Sequence, residues 1–263
     1  MRMSTASLLL ADARFPAGGH AHSGGVEPAT TAGTVADLDS LELFLRGRLH
    51  TAGLTAAGLA ATACHLASRA THDTPATHGT AATHDSQAPH DTPATYDSPA
   101  MLAAQEISAS QATWDELDAE ADARTPSPAQ REASRRQGRA LLRAARAAWP
   151  DAPWLNGLGR QPHHTIVLGV AAQAAGCTPL EAARIAAYQA VTGPASAAVR
   201  LLALDPMQAA AITARLSAEI DQVAAKAAGH ATGPVADLPC PCAPALDLLA
   251  HAHTRAEARL FES

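Results

Sequence analysis

The chain has 263 residues and a formal net charge of −6, enough length for one domain with a buried core. Apolar residues make up 47% with alanine the commonest, whereas aromatics are 3%, a balance that favours closely packed helices over a β-sandwich or barrel. The acidic excess excludes a broad electrostatic surface for nucleic acid or anionic lipid. The 19 basic residues include one lysine, Lys226, so no G-x-x-x-x-G-K-[ST] phosphate loop is present.

Taken in order, Leu8 to Leu10 form a short first helix that Pro16-Ala17-Gly18-Gly19 stops. A turn-rich segment then runs through Ser23-Gly24-Gly25 to Glu27-Pro28. Asp37 is an N-cap for a helix whose face is Leu38, Leu41, Leu45 and Leu49. A second long helix spans about Thr55 to Ser68. Residues 71–100 are an imperfect six-residue repeat with His72, His78, His84 and His90 at fixed spacing, and Thr, Asp, Pro and Ala between them. Nothing there can bury a core, so 71–100 is expected to be a disordered insertion. Helix resumes from Met101 to Ala121. Ser127-Pro128 opens an arginine-bearing helix, Pro153 to Pro162 is loop, and a helix from His164 ends at Gly176. Thr178-Pro179-Leu180-Glu181 is a capping box, and its helix is expected to break at Gly193-Pro194. Ala195 to Leu204 forms a further helix. Asp205-Pro206 caps the next, in which Ile212, Leu216 and Ile220 recur every four residues, and an amphipathic helix from Ala245 to Leu260 closes the chain. The pattern predicts an all-α protein, a single domain over 1–263 with eight to ten helices. Four unevenly placed cysteines, the charges Asp12 and Arg14 close after Leu10, and short apolar runs point to a cytoplasmic protein without leader or membrane span.

Candidate chemistry is sparse. The four repeat histidines can collect a borderline metal such as nickel, or serve merely as a solvated linker. Cys240-Pro241-Cys242 is tighter than a structural zinc spacing and has no matching second pair, leaving a two-thiolate site or two ordinary cysteines. His20 and His22 lie in the turn-rich segment. His251 and His253 sit two apart on a helix and so face different ways. The acidic run Asp115 to Asp122 and the series Arg131 to Arg146 pair with one another or meet a charged partner. No G-x-S-x-G or H-E-x-x-H is present. A binding or scaffolding protein is the reading from the residues alone. Its rivals are a metal-dependent helical enzyme using His20, His22 and carboxylates, and a generic helical adaptor.

Four stretches carry a family resemblance. Leu8 through Glu27, with its Phe15-Pro16-Ala17-Gly18-Gly19 and Ser23-Gly24-Gly25-Val26-Glu27, resembles the opening of the urease accessory protein UreF family. Gln137-Gly138-Arg139-Ala140-Leu141-Leu142, Ala197-Ala198-Val199-Arg200-Leu201, and His253 with Arg259-Leu260-Phe261-Glu262-Ser263 resemble later motifs of that family, in order. The chain departs at His20, where the family usually has an aromatic, and after Arg200, where Leu202-Ala203-Leu204-Asp205-Pro206 replaces a P-L-G-Q run. The resemblance implies a non-enzymatic, dimerising helper that binds the accessory protein UreD (also called UreH). With it the helper recruits the nickel-carrying GTPase UreG and promotes nickel insertion into apo-urease. No cofactor is expected to be held tightly, and nickel only in transit. Pro16, Gly18, Gly19, Ser23, Gly25, Glu27, Arg200, His253, Leu260 and Phe261 are the expected partner-contact residues, with 230–263 as a partner-binding tail. His72, His78, His84, His90, Cys240 and Cys242 are the candidate metal ligands.

Overall fold

The computed structural model describes residues 5–12, 14–16, 22–72, 111, 113–256 and 260–261. Among them the architecture is helical, without a strand. The elements are α1 (Thr5–Ala11), α2 (Val26–Thr31), α3 (Leu38–Arg48), α4 (Leu54–His72), α5 (113–123), α6 (Pro128–Ala148), α7 (Pro153–Gly157), α8 (His164–Ala174), α9 (Pro179–Leu202), α10 (Pro206–Arg215), α11 (Ser217–Ala228) and α12 (Pro244–Thr254). A π-helical turn, Leu49–Gly53, joins α3 to α4.

The helix starts follow local chemistry. Asp37 accepts the Ser40 amide at 2.9 Å, and the Ser40 hydroxyl returns the bond to the Asp37 amide, a reciprocal cap that opens α3. Thr178 and Glu181 do the same for α9. Ser127 and Asp205 cap α6 and α10, each followed by a proline whose missing N–H costs nothing there.

The core is built on α4, α8 and α9, with α11 packed against α9 and α4. Small residues make this possible. Gly169 of α8 faces the backbone of α4 so closely that a Cβ would stand 2.2 Å from the Ala60 carbonyl oxygen. At Gly138 of α6 a Cβ would stand 2.0 Å from the Pro162 carbonyl oxygen. Leu41, Leu45 and Leu49 are fully buried, as are Ile212 and Leu216, so the leucine and isoleucine periodicities mark true inner faces.

Five boundaries differ from the sequence expectation, the first being the last helix, which stops at Thr254 instead of running to Leu260 because the chain must turn to bring the Leu260 and Phe261 amides onto Glu27. α9 runs unbroken through Gly193-Pro194. Proline removes one backbone donor, but Ala190, Val191, Ala195, Ala197 and Ala198 are buried on both sides of it, and this shared burial holds the two halves in one helix. The run from Asp205 to Gly229 is two helices meeting at Leu216, where the Ser217 hydroxyl donates to the Ala214 carbonyl at 2.8 Å. Short helices α2 and α7 occupy segments that read as turn and loop. The repeat over 71–100, apart from the helical backbone at 71–72, lies outside the described residues.

Candidate functional site

The N-terminal segment and the end of the chain meet through one carboxylate. Gly25, at φ +91°, turns the chain in the left-handed region and launches α2, which places Glu27 in its first turn. Glu27 Oε1 accepts the Leu260 amide at 2.6 Å and Oε2 the Phe261 amide at 3.0 Å. His253, near the end of α12, sets Nε2 3.1 Å from the Phe261 carbonyl oxygen and 3.6 Å from Glu27 Oε2. Glu27, His253 and Phe261 are all buried. The Arg200 guanidinium of α9 lies over the Phe261 ring, 4.2 Å from its centroid. Gly25, Glu27, Arg200, His253 and Phe261, five of the expected partner-contact residues, thus form an internal clasp together with the Leu260 backbone amide, and the carboxylate supplies charge-assisted acceptors for two backbone amides.

The others are placed as follows. Leu260 points outward, 79% exposed, beside the buried Phe261. Pro16 is exposed, whereas Ser23 is buried with its hydroxyl unpartnered among the described residues. Gly18, Gly19 and His20 lie outside the described residues. His22 and His253 are buried and His251 is exposed, so the His251/His253 pair does divide between faces.

Of the candidate metal ligands, His78, His84 and His90 lie outside the described residues, and His72 is described only as the backbone end of α4. Cys240 and Cys242 are exposed free thiols ahead of α12. Among the described residues the one three-member group able to hold a metal ion is instead Asp118, Asp122 and His163. Sequence reading did not single it out, although the i,i+4 spacing of the two aspartates was its local signal. Arg135 of α6 already stands between these carboxylates, 2.8 Å from Asp118 and 2.7 Å from Asp122. His163 Nε2 is 2.9 Å from Asp122, and its Nδ1 is 3.0 Å from the Ser134 hydroxyl. Burial pulls His163 below the usual imidazole range against the opposing pull of Asp122. Burial also resists ionisation of Asp122, but the bonds from His163 and Arg135 prevail and hold its carboxyl below the ordinary aspartate range. The guanidinium supplies the positive charge here, so the cluster is an ion-pair network that ties α5, α6 and the start of α8. The acidic run and the arginine series meet each other at these residues.

One surface feature is large and apolar. A groove of about 880 Å³ runs between α9, α10 and α11, with Leu8, Tyr188, Val199 and Ala210 in its walls. No helix among the described residues is long and apolar enough to cross a membrane.

Comparison with known proteins adds the following. The profile of the family described as UreF matches residues 35–217. The urease accessory protein UreF of Mycolicibacterium vanbaalenii is 42% identical over 256 residues, covering 97% of each chain. That of Mycobacterium marinum is 41% identical over 263 residues, covering 99% of this chain and 100% of its own. The UreF of Mycobacterium tuberculosis H37Rv is 38% identical over 256 residues, 97% of each.

Proposed function

The chain belongs to the UreF family of urease accessory proteins, and on that premise we propose that it is a non-enzymatic helper in nickel insertion. In this reading it joins a UreD/UreH partner to the UreG GTPase and presents both to apo-urease in the cytoplasm, as a homodimer. Nickel is cargo, held in transit.

The observation that carries this reading is the clasp at Glu27. Two segments bearing family motifs, one from each end of the chain, are fastened together there, and the fastening leaves Leu260 outside. An exposed leucine whose backbone amide is tied to Glu27, beside a buried phenylalanine, is a ready anchor for a partner, because part of the backbone entropy is already lost before docking. The exposed thiols of Cys240 and Cys242 and the repeat histidines are the side chains available for transient nickel contact.

Leu260→Asp tests the anchor by changing the exposed side chain while keeping the backbone amide that the clasp uses. Co-purification of the UreD/UreH partner is expected to fall at least tenfold with the melting temperature of the isolated chain unchanged. Undiminished co-purification would remove Leu260 from the interface. The function itself is tested by the nickel content of urease from cells lacking the gene: assembled but nickel-poor enzyme supports the role, and unchanged nickel with no second gene copy overturns it. Equilibrium dialysis against nickel, with and without residues 71–100, tests the histidines. Equal uptake by the two chains would eliminate the repeat as a ligand.

A further inference from the structure

A second feature lies inside the molecule and is independent of the urease reading. A cavity of about 300 Å³ opens between the N-terminal segment, α6, α8 and α9. Its wall includes Arg48, His164, Thr165, Ser134 and Gln137. Arg48 ends α3 and reaches inward. Its Nε is sealed from solvent and has no hydrogen-bond partner among the described residues. The backbone of Gly24 lies against the head group, and a Cβ at Gly24 would stand 3.3 Å from Arg48 Cζ and Nε. One carboxylate, Asp12, reaches the described wall, and it is already engaged by Arg14 at 2.9 Å.

Among the described residues the electrostatics are therefore one-sided. Burial lowers Arg48 only to about 10, so it remains a cation at neutral pH. Arg48 is half-buried, but a guanidinium whose Nε is sealed from water without a described partner is costly, and a site that tolerates one is suited to receive an anion. The surroundings agree. His164, held down at about 4 by burial and then by His22, is neutral and can donate or accept. His164 and Thr165 are the first two residues of α8, an eleven-residue helix whose positive end favours an anion at this wall. Gln137 adds a neutral donor, whereas the Ser134 hydroxyl is already engaged by His163 and by the His164 amide.

We propose that this cavity binds a small oxyanion, gripped by the Arg48 guanidinium and the first turn of α8. The planar fork of the guanidinium matches two oxygens of a carboxylate, bicarbonate or phosphate group, and the cavity admits any of the three.

Calorimetric titration of the full chain with sodium phosphate, sodium bicarbonate and sodium acetate, at pH 7.5 and with ionic strength held by chloride, tests the site. Saturable 1:1 binding of at least one anion is expected, and which one binds identifies the source. At ten times its Kd that anion should raise the melting temperature by about 3–6 °C. Arg48→Met is expected to weaken binding at least a hundredfold while leaving the anion-free melting temperature equal or higher, because it removes a charged group whose Nε is desolvated without a partner among the described residues. Should that variant fail to fold, Arg48→Lys keeps the charge without the fork, and about tenfold weaker binding supports the proposal. Absence of saturable binding by all three anions, or unchanged affinity in the Arg48 variant that folds, overturns it.

Discussion

Glu27 is the residue on which the two ends of the chain depend. Its carboxylate accepts two backbone amides, so a neutral replacement weakens both bonds at once. Glu27→Gln is expected to cost about 1.5–3 kcal/mol at this contact, since bonds to a charged group lie in that range. Hydrogen exchange at the Leu260 and Phe261 amides should accelerate by tenfold or more, and exchange at wild-type rates would count against the clasp. His164 makes a second residue-scale prediction. Its pKa is about 4 in the folded chain against the ordinary ~6.5, so the folded state resists taking up a proton that the unfolded state accepts. The stability this represents is complete above about pH 6.5 and declines as pH falls towards 4, by about 2–3 kcal/mol. Urea unfolding at pH 7 and pH 4.5, repeated on His164→Gln, checks this. The variant should have the flatter profile.

At the scale of elements, the fold rests on how closely α8 approaches α4. The contact point is Gly169, where an added Cβ would meet a backbone carbonyl rather than a yielding side chain. Gly169→Ala is therefore expected to force the two helices apart and cost about 1–3 kcal/mol or more. For a domain of this size that lowers the melting temperature by about 2–4 °C per kcal/mol, measurable by calorimetry. An unchanged melting temperature would show that the helices can slide without loss. The same logic explains the Gly138 of the Gln137-Gly138-Arg139 motif: the chain before α8 passes directly over it. α9 shows the opposite balance, because its buried alanines outweigh the proline inside it.

For the whole molecule, the tail beyond Gly233 is part of the domain as well as a candidate interface. Arg124 of the α5 end donates to the Val235, Ala236 and Leu238 carbonyls, and Leu238 is buried. Truncation after Gly233 removes these acceptors together with His253 and Phe261, and leaves the buried Glu27 carboxylate without its two amides. Such a chain is expected to lose several degrees of thermal stability as well as partner co-purification. Leu260→Asp should lose the second alone. If both chains lose co-purification without any difference in stability, the clasp contributes nothing to the fold.

The amino-acid sequence by itself determined the helical class, the caps at Asp37, Ser127, Thr178 and Asp205, and the buried faces of α3, α10 and α11. These are local facts: a cap acts over three residues, and a helical face repeats every three or four. The family motifs were legible for the same reason, as short runs of residue types. Only the tertiary structure decided what those residues touch. Glu27 meets amides more than 230 positions away, Asp122 meets His163 across α6, and the sealed Nε of Arg48 meets no partner among the described residues. Pro194 reads locally as a helix breaker, and burial on both sides overrules it. Contacts of this kind depend on the packing of distant helices, which no local pattern encodes, and the clasp and the oxyanion cavity both arise from them.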